Sequence, residues 1–247
     1  MEAIDVNDFE SALPTGAREM FSAARKRVEL KKAAAGGEVA YRRQREEQAD
    51  ADMMNGLRDS CVRGTKWMLG DRFAEKTFEN FDVNPKNREA LEVCRKFAAE
   101  FGPGRKGLLL MGPNGIGKNH LAAAVVNELA KRIYYSYFSN IVSVKNKLMD
   151  AIGYGVEGAI GKLLSYDMIC INDLGAERAP KTPGEVDYTQ EILFGLIDGA
   201  YEDNKTLIIT TNMSDAELFE RYGKRIVSRL IGMCDVVEYE DFDHRVG

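Results

Sequence analysis

Residues 107–131 read GLLLMGPNGIGKNHLAAAVVNELAK, and no other stretch limits the possible folds as tightly. A short apolar run with strand character meets a glycine-rich turn, and the turn opens directly into an alanine- and leucine-rich segment with helix character. Gly112, Gly117 and Lys118 satisfy the spacing G-x-x-x-x-G-K. In a strand-to-helix setting that spacing makes a phosphate-binding loop. Small residues let backbone N–H groups wrap an anion, the helix N-terminus presents unpaired donors, and the lysine sets a positive charge against the outer phosphates. An accidental glycine turn would require neither the strand before it nor the helix behind it. The candidate nucleotide-binding residues are therefore Gly112, Pro113, Asn114, Gly115, Ile116, Gly117, Lys118, Asn119 and His120, with His120 expected to act as a helix side chain rather than as a catalyst.

Asn119 departs from the pattern, which places Ser or Thr there so that a hydroxyl reaches Mg²⁺. An amide oxygen is an alternative ligand for a hard cation. Nucleotide binding is thus expected ahead of rapid hydrolysis.

The surrounding chain repeats the alternation of strand and helix. YYSYFS, DMICIND and TLIITTN read as strands; IVSVKNKLMDAI and VDYTQEILFGLIDGAYED read as helices. Strands that are apolar throughout, rather than alternating, belong to a parallel sheet covered on both faces, so the fold class is α/β. A further helix is expected from Asn84 or Asn87, either of which could cap it, through Leu91, Val93 and Phe97 to Phe101, where Gly102, Pro103 and Gly104 end it. Before about residue 70 the texture changes to Ala, Arg, Lys and Glu with few β-branched residues. This reads as a small charged helical arm, 1–70, broken at Gly36 and Gly37, preceding a folded domain over 71–247.

A phosphate loop needs a second strand that brings acid to the metal. MICIND ends in Asn172 and Asp173, where the usual arrangement has two acids, the first holding Mg²⁺ and the second orienting the attacking water. With Asn172 neutral, the metal loses a formal negative charge, and weak Mg²⁺ affinity is expected. The candidate metal residues are Asn119, Asn172 and Asp173; Asp173 is also the candidate catalytic acid. Asn212 ends the strand TLIITTN, where an amide can orient water, and Ser214 with Glu217 has the spacing of a capping box that starts the next helix. Arg225 and Arg229 lie one turn apart on one helical face and are candidates for a phosphate on a neighbouring subunit.

Composition narrows the remaining classes. No apolar run among the 247 residues reaches the roughly 18 needed for a membrane span, and the N-terminus MEAIDVNDFE is acidic, so a cytoplasmic protein without a membrane partner is expected. Cys61, Cys94, Cys170 and Cys234 lack metal-ligand spacing and should be free thiols. A net charge of -5 excludes wholesale coating of nucleic acid while permitting a local basic groove.

The ordered segments FENF, GPNGIGKNHLAAA, INDLGAER, LIITTN, RIVSRL and DFDHR resemble the AAA+ ATPases of the DnaC/IstB family, over roughly residues 72–247. GKNH itself resembles a variant within that family, which makes Asn119 a recognisable substitution. The resemblance implies an AAA+ P-loop core, ATP or ADP with Mg²⁺, and three kinds of partner: a DnaB-type replicative helicase, single-stranded DNA and further copies of the chain. It also implies roles by position. Asn212 corresponds to sensor 1, Arg229 to an arginine finger for self-association, and Arg245 to the sensor 2 arginine, while Phe78 and Phe81 fall near the adenine or, equally, in the core. The arm is the candidate helicase contact, and Lys145 and Lys147 are candidates for DNA. An IstB-type transposition helper, an ATP-binding module with negligible hydrolysis, and a small-molecule P-loop kinase are the alternatives; the kinase leaves RIVSRL and DFDHR without a role.

Overall fold

Five strands form one parallel sheet in the order β2-β3-β4-β1-β5 in a computed structural model that describes residues 22–24, 26–27, 38–151, 155–177 and 188–239. The strands are β1 (Gly107–Met111), β2 (Ser136–Asn140), β3 (Met168–Leu174), β4 (Thr206–Thr211) and β5 (Cys234–Glu238). Among the described residues the helices are α1 (Glu38–Phe73), α2 (Arg88–Ala99), α3 (Lys118–Lys131), α4 (Ile141–Asp150), α5 (Val156–Leu164), α6 (Tyr188–Glu202) and α7 (Asp215–Met233). The expected parallel α/β architecture is the one observed.

The apolar runs explain themselves in this arrangement. Along β1, Leu108 and Leu110 join a core layer with α2 and α3, while Leu109 and Met111 join the opposite layer with α4, α6 and α7. Because successive side chains point to opposite faces, a strand buried on both must be apolar at every position. All residues of β1 and of β4 are buried. The sequence reading did not anticipate α5 or β5. CDVVE is short, with Asp235, Val236 and Glu238 exposed, and it pairs β1 at the sheet edge.

Two compact units divide the chain at Gly56/Leu57. In Met1–Gly56 every described side chain is exposed, and the helix surface carries local pairs such as Arg43–Glu47 at 3.0 Å. The expected break at Gly36 and Gly37 lies outside the described residues. In Leu57–Gly247, the boundary expected near residue 70 falls inside α1, whose Cys61, Thr65 and Leu69 are buried. Gly70 itself has φ 65 and ψ 173, which kinks α1 just before Phe73. All four cysteines are free and buried. No helix among the described residues is long and apolar enough to cross a membrane.

Asn87 occupies the N-cap position of α2, but its side chain does not cap. Its Oδ1 accepts instead from the Asn84 backbone N–H at 2.8 Å, and its Nδ2 donates to Asp82 O at 3.0 Å and Ile116 O at 3.4 Å. The asparagine is thus diverted from the helix to tie down the chain beside the glycine-rich loop.

Candidate nucleotide-binding site

The site forms where β1, β3 and β4 end side by side. β1 delivers the glycine-rich loop, and Gly112 N–H donates to Thr211 O of β4 at 3.2 Å. Gly115 and Gly117 have φ of 81° and 105°, a backbone region that disfavours side chains. Gly117 is doubly constrained, since a Cβ there would lie 2.4 Å from Cε2 of Phe81. The loop can close over its helix because that position has no side chain.

Lys118 begins α3 and is only 5% exposed. Its ammonium donates to Gly112 O at 2.7 Å, Pro113 O at 2.7 Å and Asn212 Oδ1 at 2.6 Å. Burial pushes its pKa down to about 8, with the Asp173 carboxylate opposing that fall. The ammonium therefore remains mostly protonated at neutral pH, and it is bridged to the very asparagine expected as a sensor. Asn212 comes from the end of β4, 94 residues away in sequence.

β3 does not run straight into the site. Ile171 pairs with Ile209 and Leu174 with Thr211, so β3 holds one residue more than β4 across the same interval. This bulge places Asp173 at φ 56° and re-aims its carboxylate. The Asp173 backbone N–H donates to Thr210 Oγ1 at 2.9 Å, and Thr210 Oγ1 donates to Asn119 Oδ1 at 2.6 Å. Asn119 Nδ2 then donates to Asp173 Oδ1 at 2.9 Å. Thr210 is wholly buried and was not singled out from sequence. The available signal was a polar pair, Thr210 and Thr211, closing an otherwise apolar strand.

Asn172, one residue before, is 2% exposed and its Oδ1 accepts from Cys170 Sγ at 3.6 Å. The expected cation ligands are therefore gathered at one end of the sheet, but with Asn119 presenting nitrogen to Asp173 and oxygen to Thr210. Among the described residues no group of three or more His, Cys, Asp or Glu could hold a metal ion. This donor set, with one carboxylate already hydrogen-bonded to an amide, fits Mg²⁺ poorly.

On the far side of the loop, the segment carrying Phe78 and Phe81 is fastened to α3. His120 Nε2 lies 2.8 Å from Thr77 O, and Asn127 Nδ2 donates to Lys76 O at 2.8 Å. Phe81 packs edge-on to the His120 ring with centroids 5.1 Å apart. Burial lowers the His120 pKa and so favours the neutral ring, while the hydrogen bond to Thr77 O opposes that fall. His120 thus ties α3 to the segment that carries Phe78 and Phe81.

Lys118 is thus bonded to Asn212, and Asp173 to Asn119 and Thr210, at the same end of the sheet. A family model described as IstB-like ATP binding protein matches residues 37–246. The chain belongs to this family. Among relatives, the IstB-like chain is 26% identical over 158 residues to the replicative helicase loader DnaC of Escherichia coli K12, covering 62% of each protein. It is 27% identical over 217 residues to the chromosomal replication initiator DnaA of onion yellows phytoplasma, covering 81% of the chain and 39% of that protein. The chain thus spans less than two thirds of the length of these relatives. Among solved structures, the DnaC helicase loader superposes with a TM-score of 0.62 at 26% identity, covering 69% of this chain and all of that one. The fold is accordingly the AAA+ P-loop fold, and the chain is a DnaC/IstB-family AAA+ protein.

The remaining expected residues lie elsewhere in the IstB-like fold. Arg229 on α7 is ion-paired with Asp198 of α6 and lies over the rings of Phe194 at 5.1 Å and Tyr201 at 5.7 Å. Arg225 lies 4.2 Å from the Phe194 centroid. The capping box of Ser214 and Glu217 starts α7 as expected. Arg245 lies outside the described residues. Lys147 is over the Tyr137 ring at 5.3 Å and helps line a cavity of about 450 Å³ with Tyr166 and Lys162.

Glu177 was missed altogether. It follows β3 closely, its side chain is 1% exposed, and it collects donors from two places: Gly175 N–H at 3.0 Å, and Arg221 Nε at 3.3 Å with the Tyr222 hydroxyl from α7. A buried carboxylate needs this satisfaction. Its partners on α7 are 44 and 45 positions away, so no local pattern announces it.

Proposed function

We propose that this chain is an ATP-dependent loader that engages a DnaB-type replicative helicase and single-stranded DNA during replication initiation, with ATP acting as an assembly switch. The observation that carries the reading is the direct bond from Lys118 Nζ to Asn212 Oδ1. It links the phosphate-loop cation to the end of a second strand, so a triphosphate that draws Lys118 away frees Asn212 to reorient. Occupancy at the loop is thereby felt by β4 and by α7, which begins three residues after Asn212.

In this reading Asp173 serves as the acid beside the reacting phosphate, and Arg229 leaves Asp198 to meet the nucleotide of a neighbouring copy. Arg245 supplies a further phosphate contact. Gly112 to His120 hold the nucleotide, and Phe78 with Phe81 flank its base. The charged arm within 1–70 contacts the helicase, while Lys145 and Lys147 contact DNA in a salt-sensitive manner. Hydrolysis is weak, because Asn119 and Asn172 replace groups that would gather charge about a metal. Mg²⁺ accompanies the triphosphate in this scheme without a dedicated cage from the protein.

An IstB-type transposition helper is the second reading, favoured by the family model that matches the chain. Co-purification with a replicative helicase or a transposase, with and without ATP, separates the two. Lys118→Ala should abolish ATP binding and, with it, ATP-dependent complex formation. Undiminished nucleotide affinity in that variant would refute the site.

A further inference from the structure

We propose that this chain binds its nucleoside triphosphate with little dependence on Mg²⁺, because Asn119 acts as a hydrogen-bond donor and not as a cation ligand. The inference rests on the nucleotide-binding reading above and specifies how that site handles charge.

The orientation of the Asn119 amide follows from the partners around it. Thr210 Oγ1 accepts from the Asp173 backbone N–H at 2.9 Å, so its hydroxyl proton is directed elsewhere, and Asn119 Oδ1 lies 2.6 Å away to receive it. On the other side stands Asp173 Oδ1, 2.9 Å from Nδ2. An ionised carboxylate only accepts. Turning the amide over would set oxygen against oxygen at that distance and leave the threonine proton facing N–H groups. One arrangement satisfies all three residues, and it consumes the Asn119 oxygen.

A hydroxyl at this position would leave its oxygen and the Asp173 carboxylate open to a cation. Here the oxygen is committed to Thr210 and the carboxylate is met by an amide N–H. The neighbouring position, Asn172, is neutral and 2% exposed. Hard divalent cations are held in such sites through carboxylate charge, and a single partly compensated carboxylate supplies little of it. An amide nitrogen carries two N–H groups, and Asp173 takes one. The second is a donor for a phosphate oxygen. Phosphate charge is thus met by fixed donors of the chain.

The test is a titration of the full chain with ATP in buffer containing MgCl₂ and in buffer containing EDTA, followed by calorimetry. The dissociation constants should agree within about threefold, a difference below one kcal/mol-scale step of binding energy. A loss of roughly tenfold or more in EDTA would overturn the inference. Absence of binding in both buffers would instead bring down the nucleotide-binding reading, and the inference with it. Asn119→Thr and Asn172→Asp, singly and together, should each introduce Mg²⁺ dependence. A variant that melts cooperatively yet binds equally in both buffers would show that these positions do not govern cation use, and would overturn the assignment. Should Asn119→Thr fail to fold, Asn172→Asp and the wild-type comparison still decide the matter.

Discussion

Removing the Tyr222 hydroxyl tests whether Glu177 fastens the turn after β3 to α7. Tyr222 is 4% exposed, and its ring packs in the layer formed by α6, α7 and the sheet. Tyr222→Phe keeps that packing and deletes one donor from a carboxylate that water cannot reach to compensate. A hydrogen bond to a charged group contributes about 1.5–3 kcal/mol, and a central value near 2 is expected here. For a domain of this size that corresponds to a fall of roughly 4–8 °C in Tm. Glu177→Ala removes the acceptor from both Arg221 and the hydroxyl and should cost about 3–5 kcal/mol, the range for breaking a buried ionic contact on one side. Glu177→Gln is not silent either, because an amide nitrogen in place of Oε2 would face the Gly175 N–H. Urea unfolding followed by circular dichroism, without nucleotide, gives all three values. The double variant Glu177→Ala/Tyr222→Phe should then be less destabilised than the sum, by about 1–2 kcal/mol of coupling. If Tyr222→Phe changed stability by less than about 0.5 kcal/mol and the two substitutions were additive, the carboxylate would not be the fastening point.

Gly117→Ala forces a side chain into φ 105° and against the Phe81 ring, so it should cost about 2–4 kcal/mol in thermal unfolding and weaken nucleotide binding; Phe81→Leu in the same chain should recover part of both. Lys118 has a folded pKa near 8, below its ordinary 10.5, so its charged form penalises the folded state at lower pH and the penalty is relieved as pH rises from 8 to 10.5. Relative to Lys118→Met, the wild type should therefore gain roughly 1–2 kcal/mol of stability across that window, discounted for partial water access, while its ATP affinity falls as the ammonium deprotonates. Arg229→Ala should leave ATP affinity of the monomer unchanged while abolishing turnover that depends on assembly; equal loss of affinity in the monomer would refute a role across subunits. The same substitution leaves Asp198 without its guanidinium and should cost about 1 kcal/mol in melts, since both side chains keep some solvent exposure.

The placement of each expected residue shows which physical signals are local. The strand, glycine-rich turn and helix around Gly112, Gly117 and Lys118 were legible because they follow one another in sequence. The Ser214–Glu217 cap was legible for the same reason, spanning a single turn. Asn84 or Asn87 was expected to cap α2; Asn87 takes the N-cap position, yet its amide serves Asp82, Asn84 and the loop carbonyl of Ile116 instead. β5 was not foreseen because an edge strand with exposed charged positions lacks the apolar run that marked the other strands.

By itself the sequence determined the parallel α/β class and the strand, glycine-rich turn and helix that run from β1 into α3. Apolar runs and glycine spacing act over a few residues and act wherever they occur. Only the tertiary structure decided which way Asn119 faces, that Thr210 stands between it and Asp173, and that Glu177 takes its partners from α7. Those choices depend on groups far apart in the chain meeting where water is scarce, and there each donor must find an acceptor in the particular geometry that packing allows.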